Sequence, residues 1–261
     1  MQNAPCLCCG GSVRLSPFGH RALAGRYAPV GRRALGGLAA GLAAAAVLPG
    51  RAALAADPVP RTNLTPDQAL ARMKEGNDEF RTDSPLNFAH GRERRMELAQ
   101  GQAPFCVLVG CSDSRVPPEL LFGRGLGELF IVRNAGNTVD TAALGSIEYG
   151  VGVLGCPLIV VLGHENCGAV AAAVDVVQKN ASFPGVIGEM VQPIVPAVLS
   201  ARKANGEITL NDAVVSNAKR VASRLKTQSS VTQEAMRAGR LRIVAARYDL
   251  DDGDVEWFEE V

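Results

Sequence analysis

Two short motifs contain the residues of this chain that are best suited to bind a metal ion. The segment CSDSR (111–115) supplies the thiol of Cys111, and HENCG (164–168) supplies the imidazole of His164 and the thiol of Cys167. Zinc prefers such nitrogen and sulfur ligands in a tetrahedral arrangement. A structural zinc site is closed by four protein ligands, whereas a catalytic site uses three and leaves one position open. The motifs therefore predict a catalytic zinc site.

The remaining cysteines and histidines near these motifs have simpler interpretations. Cys106 and Cys156 lie in or beside apolar runs, and a lone cysteine there usually behaves as a small apolar residue. We expect both to be buried and reduced. His90 lies in the polar stretch NFAHGRERR and is expected to be exposed. An HxxC pair alone arises often by chance, so the metal interpretation depends on both motifs together.

Each motif directly follows a run of apolar residues. FCVLVG (105–110) precedes Cys111, and PLIVVLG (157–163) precedes His164. Continuous apolar runs of this length are typical of parallel strands that are buried on both faces. Ligands of open parallel sheets collect outside the carboxyl ends of the strands. We therefore expect the two motifs to meet at one edge of a sheet.

The rest of the pattern predicts an α/β fold: a single domain with a central, mostly parallel β-sheet flanked by helices, and an N-terminal helical arm. A Thr cap followed by Pro predicts a helix over 65–80, and a second helix is expected within 81–103. Another strand is predicted near 128–132, and residues 187–238 show mainly helical spacing. The segment 241–258 is predicted to be a hairpin at the sheet edge. Alternating strands and helices indicate a parallel sheet.

One glycine-rich segment suggests a nucleotide-binding loop but does not meet its requirements. GRGLG (123–127) precedes a strand rather than a helix, whereas the dinucleotide fingerprint opens a helix. We interpret this segment as a turn.

Four motifs resemble, in order and spacing, those of the beta-class carbonic anhydrases. They are CSDSRVPPE, ELFIVRNAGN, GSIEYGV and LGHENCGAV, and the resemblance extends over residues 64–258. It implies a zinc enzyme that interconverts carbon dioxide and bicarbonate, with one zinc ion per subunit, and a homodimer or higher homo-oligomer. It also implies that Cys111, His164 and Cys167 are the zinc ligands. Asp113 and Arg115 then form a catalytic dyad, in which Asp113 either pairs with Arg115 or becomes the fourth zinc ligand in a closed state.

The same resemblance implies a substrate pocket, part of which reaches across the dimer. Its residues are Gln102, Phe130, Ala135, Tyr149 and Gly168, and Gly168 offers its backbone N–H to substrate or anion. The family often carries a larger aliphatic residue at the position of Ala135, so the pocket is expected to be slightly roomier here.

One departure from the family pattern concerns regulation. Family members that hold a non-catalytic bicarbonate need a Trp three residues before the first zinc cysteine, and this chain has Leu108 there. We therefore expect the constitutively open type, in which Asp113 stays off the metal.

The chemistry of such a site follows from the metal and the dyad. Zinc lowers the pKa of bound water towards 7, and two thiolate ligands reduce that effect, so activity is expected to be higher above pH ~8. We expect that Asp113 can accept a hydrogen bond from the attacking oxygen and that Arg115 keeps Asp113 ionised and off the metal. Two alternatives stay open: a carbonyl sulfide or carbon disulfide hydrolase on the same scaffold, and a non-catalytic zinc- or bicarbonate-binding protein.

The first 55 residues have the composition of an export signal. They hold six Arg and no Lys, Asp or Glu, and the pair Arg32–Arg33 precedes an apolar run (34–48) and an A-x-A site at 53–55. That run of ~15 residues is shorter than the ~20 that span a bilayer. The paired arginines favour the twin-arginine route. An uncleaved anchor, or a misassigned start within 1–30, are the alternatives.

Cleavage after residue 55 leaves a 56–64 linker and a catalytic domain over 65–261, predicted to be periplasmic or otherwise exported, with no stable membrane anchor. The mature chain then holds 21 of the 27 basic residues and all 26 acidic ones, a net charge of −5. That balance argues against a nucleic-acid partner. Carbon dioxide and bicarbonate remain the expected small-molecule partners.

Overall fold

A computed structural model of the protein describes residues 60–85 and 88–260. The predicted export signal (1–55) and the first part of the predicted linker lie outside these residues. In chain order the described helices are α1 (Pro66–Arg81), α2 (Arg92–Leu98), α3 (Pro118–Leu121), α4 (Thr141–Gly152), α5 (Gly168–Lys179), α6 (Ile187–Val191), α7 (Val195–Ser200), α8 (Leu210–Gln228) and α9 (Ser230–Arg237). Short 3-10 turns cover Ala135–Asn137 and Gln192–Ile194.

A five-stranded sheet lies at the centre of the described residues. Its strands are β1 (Cys106–Gly110), β2 (Leu129–Arg133), β3 (Leu158–His164), β4 (Arg242–Tyr248) and β5 (Val255–Phe258). They lie in the order β2-β1-β3-β4-β5, with β2, β1, β3 and β4 parallel and β5 antiparallel to β4. The mostly parallel α/β sheet expected from the sequence is confirmed, as is the hairpin at its edge.

The N-terminal helix forms where the capping residues predict it. The Thr65 side chain accepts the N–H of Gln68, and the Gln68 side chain accepts the N–H of Thr65, which completes a capping box. Pro66 occupies the first helical position, where its missing N–H costs no hydrogen bond. One face of α1 buries Leu70 and Met73 against the sheet.

Successive strand residues point to opposite faces of the sheet, and helices cover both faces. Leu108 and Val160 face the layer formed by α1 and α3. Val109 and Val161 face α4, α8 and α9. A third apolar cluster joins α5, α6, α7 and α8 next to Cys111 and Cys167. The continuous apolar character of β1 and β3 follows from burial on both sides.

Several smaller expectations are confirmed. Cys106 and Cys156 are buried and unpaired, and His90 is exposed. The GRGLG segment turns into β2, with positive φ at Gly123 and Gly127. No helix within residues 60–85 and 88–260 combines the length and the apolar composition that a bilayer-spanning segment needs.

Candidate metal centre

The three candidate ligands meet at the carboxyl ends of two neighbouring parallel strands. Cys111 directly follows β1, and His164 is the last residue of β3, one residue later than the strand predicted from the sequence. Because β1 and β3 pair in parallel, their ends lie at the same edge of the sheet. The ligand atoms of Cys111, His164 and Cys167 all lie within 4.8 Å of one another. The two sulfur atoms are 4.0 Å apart.

A tight turn between β3 and α5 brings His164 and Cys167 together. Asn166 has a φ of 51°, in the left-handed region that asparagine tolerates better than most residues. Cys167 then takes the N-cap position of α5 in an extended conformation. This turn directs the side chains of His164 and Cys167 towards the same point.

The imidazole of His164 has one nitrogen fixed and one nitrogen free. The ring is fully buried, and Nδ1 lies 2.8 Å from the carbonyl oxygen of Glu165. A carbonyl only accepts hydrogen bonds, so this contact assigns the proton to Nδ1. Nε2 is buried with no hydrogen-bond partner among the described residues. A buried lone pair directed towards two cysteine sulfurs fits a metal ion, and the donor set fits zinc.

The two thiols influence each other strongly. The hydrogen bond with Cys167 lowers the pKa of the Cys111 thiol, and that same bond, together with burial, raises the pKa of Cys167. The pair therefore loses its first proton easily and holds the second. Cys111 and Cys167 could both ionise if they held a metal dication together with His164, because a thiolate is the form that binds metal.

Asp113 and Arg115 form a bidentate pair beside the ligands. Arg115 Nε donates to Asp113 Oδ1 at 3.0 Å and Arg115 Nη2 donates to Oδ2 at 2.8 Å, while the backbone N–H of Arg115 also donates to Oδ1. The hydrogen bonds from the Arg115 side chain hold the pKa of Asp113 well below its usual range. Asp113 Oδ2 lies 3.9 Å from His164 Nε2, so the carboxylate faces the centre of the ligand group.

The loop that carries Cys111 and Asp113 is held by a residue that the sequence analysis did not single out. Arg133 Nε donates to the carbonyl oxygen of Cys111 at 2.7 Å, and Arg133 Nη2 donates to that of Asp113 at 2.6 Å. Arg133 ends β2 and pairs in register with Gly110 at the end of β1. A charged residue at the end of a predicted apolar strand was the signal available in the sequence.

Two of the predicted substrate residues adjoin the ligand group. Gly168 is the first residue of α5, directly after Cys167, and is exposed; a Cβ built on it meets no atom within 4 Å. Its backbone faces open space at the N-terminus of a helix, where N–H groups lack intrahelical partners. Ala135 opens the 3-10 turn whose next residue, Gly136, donates its N–H to Cys111 Sγ at 3.2 Å.

The other three predicted substrate residues lie on β2, on α4 and before β1. Phe130 on β2 and Tyr149 on α4 contact each other, with ring centroids 6.2 Å apart. Tyr149 is exposed, and Phe130 is half-buried. Gln102 is exposed in the segment between α2 and β1. Their assignment to a pocket that reaches across a dimer stays a prediction, since one chain is described.

A parallel α/β sheet with a Cys–His–Cys group at the carboxyl ends of adjacent strands defines a class of metal-dependent enzymes, and known proteins share it. The profile of the carbonic anhydrase family matches residues 106–255. The carbonic anhydrase of Mycolicibacterium smegmatis is 41% identical over 194 residues, which covers 74% of this chain and 94% of that protein. Carbonic anhydrase 2 of Mycobacterium tuberculosis is 40% identical, covering 75% of this chain and 93% of its own length.

Solved structures agree with the sequence comparisons. A tetrameric beta-carbonic anhydrase of Sordaria macrospora superposes with a TM-score of 0.56 at 26% identity, covering 62% of this chain and 84% of that one. The beta-carbonic anhydrase CafA of Aspergillus fumigatus gives a TM-score of 0.57 at 29% identity, covering 74% and 90%. The chain belongs to the carbonic anhydrase family, in its beta class, and is an enzyme that hydrates carbon dioxide.

Proposed function

We propose that the enzyme uses one zinc ion per subunit, held by Cys111, His164 and Cys167, and that Asp113 and Arg115 assist the reversible conversion of carbon dioxide to bicarbonate and a proton. The observation that carries this proposal is the buried, unpartnered Nε2 of His164 within 4.8 Å of two cysteine sulfurs. Bound there, zinc supplies Lewis acidity that activates a water molecule near neutral pH.

The Asp113–Arg115 dyad can orient the attacking oxygen. The Asp113 carboxylate faces the ligand group and can accept one hydrogen bond from an attacking oxygen, which leaves a lone pair of that oxygen free to point at carbon dioxide. The two donors of Arg115 fix the carboxylate in its plane and keep it ionised. This pairing supports the open form of the site, in which Asp113 does not act as a metal ligand.

The open backbone at Gly168 suits the product. Bicarbonate carries a negative charge, and the positive end of the dipole of a twelve-residue helix favours an anion. The fixed tautomer of His164 keeps this residue from acting as the proton carrier, because Nδ1 is bonded to a backbone carbonyl and Nε2 faces the metal position.

The test uses the purified chain, with zinc quantified per subunit, in stopped-flow hydration of carbon dioxide at pH 8.5. One zinc per chain, rapid hydration, and loss of both on treatment with a chelator are the expected results. Full hydration by metal-free protein contradicts the proposal. Carbonyl sulfide and carbon disulfide serve as parallel substrates. Zinc binding with turnover of a sulfur substrate alone assigns the scaffold to that hydrolysis instead, and zinc binding without any turnover indicates a binding role.

We also propose that the protein works as a homo-oligomer outside the cytoplasm. The Arg32–Arg33 pair before an apolar run supports a twin-arginine signal over residues 1–55, followed by the 56–64 linker and the 65–261 catalytic domain. Replacing both arginines by Lys keeps the charge and is expected to retain the protein in the cytoplasm in a fractionation assay. Unchanged export of that variant refutes the twin-arginine route.

A further inference from the structure

One backbone N–H reaches a candidate metal ligand from a segment that has no ligand of its own. The N–H of Gly136 donates to Cys111 Sγ at 3.2 Å. Gly136 lies in the 3-10 turn after β2, and the start of that turn is tied to β1 by the N–H of Asn134, which donates to the carbonyl of Gly110. A hydrogen bond to a thiolate withdraws charge from the sulfur, so the position of this N–H affects how strongly Cys111 donates to a metal.

The backbone at Gly136 has a conformation that most other residues rarely adopt. Gly136 has a φ of 65° and a ψ of 27°, in the left-handed region. A Cβ at this position lies 2.7 Å from Ile194 Cδ1 and 3.1 Å from Ala169 Cβ. A larger residue here would be strained by the positive φ and would require Ile194 Cδ1 and Ala169 Cβ to shift, so the turn favours glycine. Glycine has no side chain that could fix the orientation of the turn.

A side chain from a distant helix holds this turn from the other side. Asn217 on α8 is 2% exposed, and its Nδ2 donates to the carbonyl oxygen of Gly136 at 2.9 Å, across 81 residues of sequence. Both partners are buried, and leaving a buried carbonyl without its hydrogen-bond donor costs about 1–3 kcal/mol. This buried hydrogen bond therefore fixes the turn against α8.

We propose that Asn217 is a positioning residue for the metal centre: it holds the Gly136 carbonyl, and thereby the turn whose N–H donates to Cys111 Sγ. This inference rests on the proposed zinc site. Asn217 acts on the ligand through one glycine, without contact between its own side chain and the sulfur. Removing the Nδ2 donor lets the turn rotate away, which weakens the N–H contact and leaves the sulfur with more charge.

The proposal is distinct from a general stabilising role of a buried asparagine. A role in stability alone predicts a lower free energy of unfolding with an unchanged metal site. A positioning role predicts a change in metal affinity and in the electronic spectrum of the metal, because thiolate-to-metal charge transfer depends directly on the charge at sulfur.

The experiment compares Asn217→Leu and Asn217→Ala with the wild type in the full chain. Zinc affinity is measured by competition with a chromophoric chelator, and the absorption spectrum is recorded after cobalt replaces zinc. We expect zinc affinity to fall about 10- to 100-fold, because the turn no longer holds the Cys111 sulfur in its binding position, and this loss outweighs the stronger donation from a sulfur with more charge. The sulfur-to-cobalt charge-transfer band is expected to move to longer wavelength, because a sulfur with more charge gives up an electron more easily. Leu is larger than Asn and Ala is smaller. Asn217→Ala therefore still tests the proposal if Asn217→Leu does not fold.

Ser216→Ala is the matched control. The Ser216 hydroxyl also donates from α8 to a backbone carbonyl, that of Ala197 at 2.8 Å, but it does not reach the turn at Gly136. We expect its zinc affinity and cobalt spectrum to equal those of the wild type.

The outcomes separate this inference from the proposed function. A wild-type chain that binds no zinc overturns the zinc site and the inference with it. A wild-type chain that binds zinc, with both Asn217 variants unchanged in affinity and spectrum, overturns the positioning role and leaves the zinc site intact. A red-shifted band in the Asn217 variants and not in Ser216→Ala supports the positioning role.

Discussion

At the scale of single residues, the site depends on how each polar atom is occupied. His164 has one nitrogen bonded and one free, Asp113 has both oxygens bonded to Arg115, and the two cysteines share a hydrogen bond. Each of these states prepares a group for one role: a neutral nitrogen ligand, an ionised acceptor, and a pair of sulfurs that a dication can deprotonate. The hydrogen-bond partners of each residue decide which role it can take, because the residue types alone permit several roles.

The first prediction concerns the dyad. Asp113→Asn keeps the shape of the side chain but loses the negative charge, so we expect zinc content to stay at the wild-type level and the kcat of hydration to fall about 10²-fold or more. Arg115→Ala is expected to do the same because it frees the carboxylate. Stopped-flow rates with zinc quantification check both.

The control for the dyad is an ion pair away from the site. Asp212 pairs with Lys203 at 3.1 Å on the surface, and Asp212→Asn is expected to leave kcat unchanged. Wild-type turnover in either dyad variant would exclude a catalytic role for the pair.

The second prediction concerns thiol reactivity. Burial raises the pKa of Cys156 to about 12 and raises that of Cys106 well above its usual value, so both stay protonated and unreactive in the folded protein at pH 8. Cys111 has a lowered pKa once no metal is bound, so it is expected to react first.

The measurement uses a thiol reagent on the 56–261 chain at pH 8. We expect no rapidly reacting thiol with zinc bound, one after chelation (Cys111), and four after unfolding, with Cys167 reacting more slowly than Cys111 in the folded, chelated protein because its pKa is raised. Four rapidly reacting thiols in the folded, chelated protein contradict the assignment of Cys106 and Cys156 to the core.

The sequence was sufficient to predict that the three candidate ligands meet, but not which residues hold them in place. Cys111, His164 and Cys167 stand out because two motifs follow two apolar runs, and parallel strands bring such ends together. Arg133 and Asn217 have no comparable pattern: one is an arginine after a strand, and the other is one asparagine among the polar residues of a long helix. Their roles arise from contacts to backbone carbonyls, which have no signature in the side-chain sequence.

At the scale of elements, capping and apolar runs predicted most of the structure. The Thr65–Gln68 capping box set the start of α1, and the continuous apolar runs set β1 and β3. The 3-10 turn at Ala135–Asn137 was not predicted, because its shape depends on Asn217 and Ile194, both far away in sequence.

The third prediction tests that turn. Gly136→Ala places a Cβ 2.7 Å from Ile194 Cδ1 on a residue with positive φ, so we expect a loss of about 1–3 kcal/mol in the free energy of unfolding and weaker zinc binding. Denaturant unfolding and chelator competition measure the two effects.

A second glycine provides the comparison. Gly188 lies within α6 without a positive φ, and a Cβ there meets only an oxygen of Phe183 at 3.6 Å, an ordinary contact. Gly188→Ala is expected to change stability by no more than about 1 kcal/mol, in the stabilising direction. Equal effects of the two substitutions argue against a special requirement for glycine at the turn.

At the scale of the whole molecule, one edge of the sheet is left apolar and half-exposed. β2 forms that edge among the described strands, and all five of its residues are half-buried. Tyr149 of the neighbouring α4 and Val153, which follows α4, are exposed. An apolar edge strand is a template for association. This surface supports the proposed homo-oligomer.

The fourth prediction follows from that surface. Tyr149 is 48% exposed, and Tyr149→Glu puts a charge there, so we expect the oligomer to dissociate towards the monomer mass in sedimentation analysis. Leu199 is equally exposed, at 50%, on α7, and Leu199→Glu is expected to keep the wild-type mass. If only Leu199→Glu dissociates the oligomer, the interface lies elsewhere.

The placement of the candidate ligands after two neighbouring strands also affects how the protein unfolds. Cys111 directly follows β1, whereas His164 ends β3 and Cys167 follows it in the turn before α5. An ion bound by all three would therefore connect two neighbouring strands of the sheet. Those strands cannot separate until the ion leaves, and the unfolding rate in denaturant is therefore expected to rise when a chelator is present; an equal rate in both conditions refutes this. A metal ion bound by these three residues would therefore slow unfolding in addition to supplying the proposed chemistry.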